Sequence, residues 1–105
     1  MSEMDKLDKY LAEHGYKYTR SQKKGNFGFS GLILDNEYER NQIIVYGEND
    51  ERLWDAICHY GSYGYEQGLI EVMGKDVVSP DIEDEVEGWL TADDIIKRLE
   101  EKKNA

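Results

Sequence analysis

The sequence predicts an α+β fold in which a small antiparallel sheet of about three strands, with a central hairpin, packs mainly on one face against about three helices. Two observations lead to this prediction. Apolar residues recur at helical spacing near both ends of the chain, and a compact β-branched run at residues 42–46 lies between them. We expect a single acidic domain over residues 1–105, because a chain of this length supports one modest core.

The two terminal helices carry recognisable start signals. Ser2 is placed to cap a first helix, and Gly15 is placed to end it. The apolar face of this helix comprises Met4, Leu7, Leu11 and His14. Thr91 is placed to cap a last helix, and Asp94 stands at the capping-box position three residues later.

The middle of the chain predicts the sheet and one further helix. Residues 16–20 alternate with period two, and residues 42–46 and 52–59 predict a hairpin across a polar turn. Ser62 is placed to cap a short second helix, which Gly74 would end. Residues 81–87 are acidic and predict a solvated loop.

The charge is strongly negative and unevenly spread. The chain has 23 Asp and Glu against 13 Lys and Arg, a formal net charge of −10. Residues 35–94 carry 17 acids and three bases, and residues 76–94 carry eight acids and no base. Such a surface repels phosphate groups, so we expect no direct binding of nucleic acid or of an anionic membrane.

The cysteine content and the N-terminus indicate a cytoplasmic protein. Cys58 is the only cysteine, which excludes an internal disulfide and suits a reducing compartment. Residues 2–11 are charged and lack the apolar centre of a secretory signal. No apolar run approaches the length that spans a membrane.

The candidate catalytic and metal-binding residues form no recognisable site. Cys58 and His59 are neighbours on a predicted strand, where successive side chains point to opposite faces, so a nucleophile–base pair is not expected. Neither these two residues nor His14 has zinc-ligand spacing, and residues 81–87 lack the calcium-loop pattern. We therefore predict a non-enzymatic protein without a cofactor or metal. A small enzyme or nucleotide binder that uses His59 and the glycine-rich residues 61–64 is an alternative.

A basic and aromatic stretch in the first third of the chain suggests a second alternative. It comprises Lys17, Arg20, Lys23, Lys24, Phe27 and Phe29. This combination is typical of proteins that bind single-stranded nucleic acid. The net charge of −14 over residues 35–94 argues against it.

The acidic second half of the chain predicts a protein-binding face. Its carboxylates would meet a basic protein surface, such as one that holds DNA or RNA, because complementary potentials speed encounter. Trp89 would supply an aromatic anchor, or would instead pack in the core beneath the last helix. The predicted partner-binding residues are Asp81, Glu83, Asp84, Glu85, Glu87, Trp89, Asp93 and Asp94. A merely solvated acidic face and self-association through Tyr60, Tyr63 or Trp89 are the alternatives.

Three segments resemble small proteins encoded by phages and prophages of Gram-positive bacteria: residues 51–59 (ERLWDAICH), 61–74 (GSYGYEQGLIEVMG) and 86–94 (VEGWLTADD). The resemblance spans about residues 42–99, and residues 31–41 look like an extra segment. It implies a bacterial host cytoplasm and an accessory phage gene, and it implies no catalytic residue. Acidic phage proteins of this size include inhibitors of host defence nucleases, anti-CRISPR proteins among them. By this analogy we expect an inhibitor that occupies a basic surface of a host protein.

Overall fold

The computed structural model describes residues 1–23 and 40–104. The elements in chain order are α1 (Glu3–Glu13), β1 (Lys17–Lys23), β2 (Arg40–Tyr46), β3 (Arg52–Ile57), β4 (Ile70–Met73), β5 (Val86–Leu90) and α2 (Ala92–Lys103), with one 3₁₀ turn at Tyr65–Gln67. The strands form one sheet in the order β1-β2-β3-β4-β5, and each pairs antiparallel with its neighbour. The prediction of about three strands and about three helices was wrong, since the described residues form an α+β arrangement of five strands and two α-helices.

The core lies between the two α-helices and one face of the sheet. Alternate residues of the central strands point into it, because successive side chains of a strand point to opposite faces. The largest fully buried side chains are Met4, Leu7, Leu11, Ile43, Val45, Ile70, Val72, Val77 and Ile95. They belong to one contiguous cluster, so the helices and the sheet share a single core.

Both predicted helix starts are confirmed by their capping boxes. Ser2 Oγ accepts the backbone N–H of Asp5 at 3.0 Å, and Thr91 Oγ1 accepts that of Asp94 at 3.1 Å. In return, the Asp5 carboxylate accepts the backbone N–H of Ser2, and the Asp94 carboxylate accepts that of Thr91. His14, which was predicted on the buried face of the first helix, is exposed.

The helix predicted after Ser62 was wrong, because the glycines in that segment fold it differently. Gly61, Gly64 and Gly68 have φ of 91°, 92° and 74°. Left-handed residues three or four positions apart interrupt an α-helix, so only the 3₁₀ turn forms between them. The chain then extends into β4, where Ile70 and Val72 reach the core.

The acidic segment at residues 81–87, predicted as a loop, runs into a strand that the sequence analysis missed. β5 begins at Val86, and Glu87 points to the helix side of the sheet. The Arg98 guanidinium donates two hydrogen bonds to the Glu87 carboxylate, at 2.8 and 3.1 Å. A carboxylate next to the core is tolerated here because a cation from α2 pairs with it.

A β-bulge interrupts the pairing of β4 and β5. Val72 pairs with Glu87 and Ile70 pairs with Leu90, so Gly88 and Trp89 together lie opposite the single residue Glu71. In a regular strand, residues three apart would point to opposite faces. The extra residue allows Glu87 and Leu90 both to face the helices.

Candidate functional site

The bulge turns Trp89 outward. Its side chain is 58 % exposed, whereas the next residue, Leu90, is 5 % exposed and belongs to the core. The alternative in which Trp89 packs beneath the last helix is therefore wrong. Trp89 also has φ of 56°, a left-handed conformation that costs a residue with a side chain about 1–2 kcal/mol. Strained positions of this kind and bulges that redirect a side chain are both concentrated at functional sites.

Trp89 stacks on Tyr63, which comes from the turn between β3 and β4. The ring centroids are 5.1 Å apart with an interplanar angle of 27°, and Tyr63 is 57 % exposed. Two glycines permit this approach. A Cβ at Gly88 would overlap the Cβ of Tyr63, and a Cβ at Gly64 would lie 3.1 Å from the Cα of Trp89. The Glu71 carboxylate holds the turn by accepting the Tyr63 N–H at 3.0 Å.

These rings border a cleft of about 440 Å³, which we call the aromatic cleft. Its lining residues are Tyr60, Gly61, Ser62, Tyr63, Gly64, Tyr65, Glu66, Gln67 and Trp89. Tyr60 meets Tyr65 edge to face, with centroids 6.2 Å apart. Among the described residues, the lining contains one carboxylate, that of Glu66, and no Lys, Arg or His side chain. The aromatic cleft is therefore lined by four aromatic rings and one negative charge from the described residues.

His59 and the glycine-rich turn do not provide the features of a catalytic or phosphate site within the described residues. Ser62 Oγ donates to the carbonyl of His59 at 2.7 Å, which closes the turn, while His59 Nδ1 is buried with no hydrogen-bond partner among residues 1–23 and 40–104. The turn leads into a 3₁₀ segment of three residues, too short to supply the dipole of a helix N-terminus. Cys58 packs against the core. No three His, Cys, Asp or Glu side chains of residues 1–23 and 40–104 are grouped to hold a metal ion.

Four predicted acidic residues lie at the surface with no ion pair to any described residue. They are Asp81, Glu83, Asp84 and Asp93, all exposed. The first three occupy the segment before β5, and Asp93 lies in the first turn of α2, four residues after Trp89. Their charges are therefore not neutralised by an ion pair within the part of the chain that the structure describes.

The other acidic residues of the predicted face have structural roles. Glu85 lies 3.5 Å from the Lys75 ammonium, and Asp94 caps α2. Glu87 also accepts the Ser79 N–H at 2.9 Å in addition to its bonds from Arg98. The Arg98 guanidinium lowers the pKa of Glu87 below its ordinary value.

The predicted basic stretch is largely neutralised where the structure describes it. The Arg20 guanidinium is paired with the carboxylates of Asp5 and Asp8 of α1, at 3.0 and 2.9 Å. Lys17 is paired with Asp50. Lys24, Phe27 and Phe29 lie outside the described residues.

Tyr65, Glu66 and Glu71 were not predicted to lie near Trp89. All three fall within the helix predicted between Ser62 and Gly74, on which Tyr65 and Glu66 would have pointed in different directions. The signal that indicated a turn was the spacing of Gly61, Gly64 and Gly68, because glycine at such intervals favours left-handed turns.

No family model, curated protein or solved structure matches this chain. The resemblance to phage-encoded proteins therefore stays a prediction. Neither helix of the described residues is long and apolar enough to cross a bilayer.

Proposed function

We propose that this chain is a non-enzymatic binding protein that occupies a basic surface of another protein. The observation that carries the proposal is the exposed Trp89, held in a left-handed conformation and stacked on an exposed tyrosine. The cost of the left-handed conformation offsets the stabilisation that stacking on Tyr63 provides, so binding is the better reason for an exposed tryptophan at this position. Tryptophan and tyrosine are the side chains most enriched where binding energy concentrates.

The charge of the chain supports a basic partner. The formal net charge is −10, and the exposed carboxylates of Asp81, Glu83, Asp84 and Asp93 form no ion pair with any described residue. Charges of this kind accelerate encounter and orient the partner, while buried aromatic contacts supply most of the affinity. The two sets of residues therefore have different roles in one recognition event.

A protein that holds nucleic acid is the partner class we favour, because its basic groove complements a negative field. An inhibitor of a defence nuclease in a bacterial host cytoplasm, such as an anti-CRISPR protein, would meet this description. Charge and the resemblance to phage-encoded proteins support this part of the proposal.

The test begins with capture of partners from a bacterial lysate on the immobilised chain at low and high salt. The captured protein is then purified, and its affinity is measured by calorimetry as salt is raised. We expect affinity to fall steeply with salt. The triple variant Asp81→Lys, Glu83→Lys, Asp84→Lys should bind at least about tenfold more weakly, because each substitution reverses an unpaired surface charge.

A matched variant separates the position of the charges from the total charge. Glu13→Lys, Glu48→Lys, Glu101→Lys makes the same change in net charge at exposed residues elsewhere on the chain. Its affinity for the partner should lie within about threefold of the wild-type affinity, since only the long-range electrostatic field is altered. Equal affinity of the wild type and the first triple variant would refute the proposed acidic contact.

Self-association is the second candidate function, and the exposure of three aromatic side chains favours it. Tyr60, Tyr63 and Trp89 are 56 %, 57 % and 58 % exposed. Contiguous exposed apolar surface commonly marks an interface. Light scattering over a wide concentration range distinguishes the two functions. A molar mass that rises with concentration in the wild type, but stays at the monomer value in Trp89→Ala, supports self-association. A constant monomer mass of the wild type rules it out.

A further inference from the structure

We infer that the aromatic cleft binds a cationic side chain of the protein partner, with arginine preferred to lysine. This inference deepens the proposed function, on which it rests, because it names the chemical group that the Trp89 site receives.

The rings of the cleft present the surface that attracts a cation. The faces of tryptophan and tyrosine rings are electron-rich, and a cation within about 6 Å of a ring centroid is attracted to them. Tyr63 and Trp89 form one pair of rings at the cleft and Tyr60 and Tyr65 the other. A side chain that enters the cleft therefore meets aromatic surface from both pairs.

The charges around the cleft select a cation over an anion or a neutral group. Glu66 supplies a carboxylate at the lining, and no Lys, Arg or His side chain from residues 1–23 and 40–104 borders the cleft. The nearby Glu71 carboxylate is already engaged by the Tyr63 N–H. Glu66 is thus the charged group of the lining that is placed to pair with an incoming cation, and its carboxylate would repel an anion.

The cleft is also held open before a ligand arrives. The close contacts at Gly64 and Gly88 fix the turn against the β5 backbone, and the bulge fixes the direction of Trp89. Its volume of about 440 Å³ falls within the range of about 300–1,000 Å³ that is usual for ligand pockets. Arginine is preferred because its planar guanidinium can stack on a ring and pair with a carboxylate at once, whereas ammonium is a point charge.

The test is a titration of the whole ¹⁵N-labelled chain with three capped tripeptides, observed through the indole N–H signals of its two tryptophans. The peptides place arginine, lysine or uncharged norleucine between two glycines. We expect the Trp89 indole signal to shift with arginine peptide and saturate at millimolar concentration, to shift less with lysine, and to stay in place with norleucine. The indole of Trp54, which is 3 % exposed, serves as an internal reference.

Variants locate the binding. Tyr63→Ala should abolish the shift, and Glu66→Gln should weaken peptide binding by about three- to tenfold, as expected for loss of one exposed charge contact. Met73→Ala and Glu48→Gln, which change an exposed apolar residue and an exposed acid outside the cleft, should leave the shift unchanged. A heteronuclear spectrum of each variant shows whether it is folded, and Tyr63→Phe, which keeps the ring, should bind as the wild type does.

The outcomes separate this inference from the proposed function. If no peptide moves the Trp89 signal while a basic protein still binds in a salt-dependent manner, the cleft inference is wrong and the proposed function stands. Equal shifts with arginine and norleucine would overturn it too, since contact would then be merely apolar. A Trp89 signal that moves on dilution without peptide would assign the cleft to a second copy of the chain.

Discussion

The indole ring of Trp89 stacks on the phenol ring of Tyr63 with centroids 5.1 Å apart, although both side chains are more than half exposed. The pair joins the β5 bulge to the turn before β4, two segments that the sheet brings side by side. Stacking of this kind stabilises a ring pair by about 0.5–1.5 kcal/mol beyond its burial. It orders the two rings without removing them from solvent, which leaves their outer surfaces for a partner.

The backbone conformation of Trp89 yields a prediction about stability. Trp89→Gly should have a larger free energy of unfolding than Trp89→Ala, by about 1 kcal/mol, because glycine adopts φ of 56° without steric cost. Urea denaturation followed by circular dichroism measures the difference. At Thr19, an exposed strand residue without positive φ, the order should reverse and alanine should be the more stable by about 0.5–1 kcal/mol. If the Gly and Ala variants show the same order of stability at both positions, the left-handed conformation of Trp89 is contradicted.

The pair Glu87–Arg98 should be energetically coupled. A double-mutant cycle with Glu87→Gln and Arg98→Met should give a coupling of about 1–3 kcal/mol, because both side chains are mostly buried and share two hydrogen bonds. The more exposed pair Lys75–Glu85 is the control, and its coupling should be below about 0.5 kcal/mol. Equal coupling in the two pairs would show that Glu87 does not anchor β5 to α2.

Acid should destabilise the fold. The Arg98 guanidinium lowers the pKa of Glu87, the Arg20 guanidinium lowers that of Asp5, and the Thr91 N–H lowers that of Asp94. A folded-state pKa below the unfolded value stabilises the fold above the unfolded pKa, and this contribution is lost as pH falls through the folded pKa. These three groups should therefore make the free energy of unfolding independent of pH above the ordinary Glu pKa of 4.5. As the pH falls below that value, the free energy of unfolding should decrease.

Denaturation of the wild type and of Glu87→Gln at several pH values from neutral to 3 checks this expectation. The variant should be less stable at neutral pH and should lose less stability on acidification, because it lacks one of the titrating groups. If the free energy of unfolding falls with pH by the same amount in the two proteins, the assignment of a lowered pKa to Glu87 is contradicted.

Two adjacent acids at the start of α2 should behave differently. Asp94→Ala should lower the free energy of unfolding by about 0.5–1 kcal/mol, because it removes the carboxylate that accepts the Thr91 N–H. Asp93→Ala should leave it within about 0.5 kcal/mol of the wild type, since Asp93 is exposed and makes no such bond. Thermal denaturation of both variants compares them directly, and an equal loss would mean that the capping box does not stabilise the helix.

The parts of the fold that depend on local chemistry could be predicted from the sequence. Both helix starts follow from a hydroxyl and a carboxylate three residues apart, and the β2–β3 hairpin follows from two β-rich runs about a polar turn. The segment after Ser62 could not be predicted from apolar spacing, because Tyr65, Leu69 and Met73 fit a helical stripe while Ile70 and Val72 fit a strand. The left-handed glycines decide between these patterns.

The candidate site was only partly predictable for a related reason. Trp89 and Leu90 are neighbours, and which of them reaches the core depends on the bulge, which is set by long-range pairing of β4 with β5. Glu87 looks like a solvated acid until Arg98 of α2 lies beside it. Asp81, Glu83 and Asp84 needed no such partner, so composition alone indicated their exposure.

The affinity of the purified basic partner for Trp89→Ala, measured by calorimetry at fixed salt beside the wild type and Met73→Ala, tests the role of Trp89 most directly. Loss of a central aromatic contact should weaken binding by at least about 2 kcal/mol, while the Met73 variant should bind as the wild type does. If Trp89→Ala remains folded and binds with wild-type affinity, the outward-facing tryptophan is not the anchor and the account is wrong.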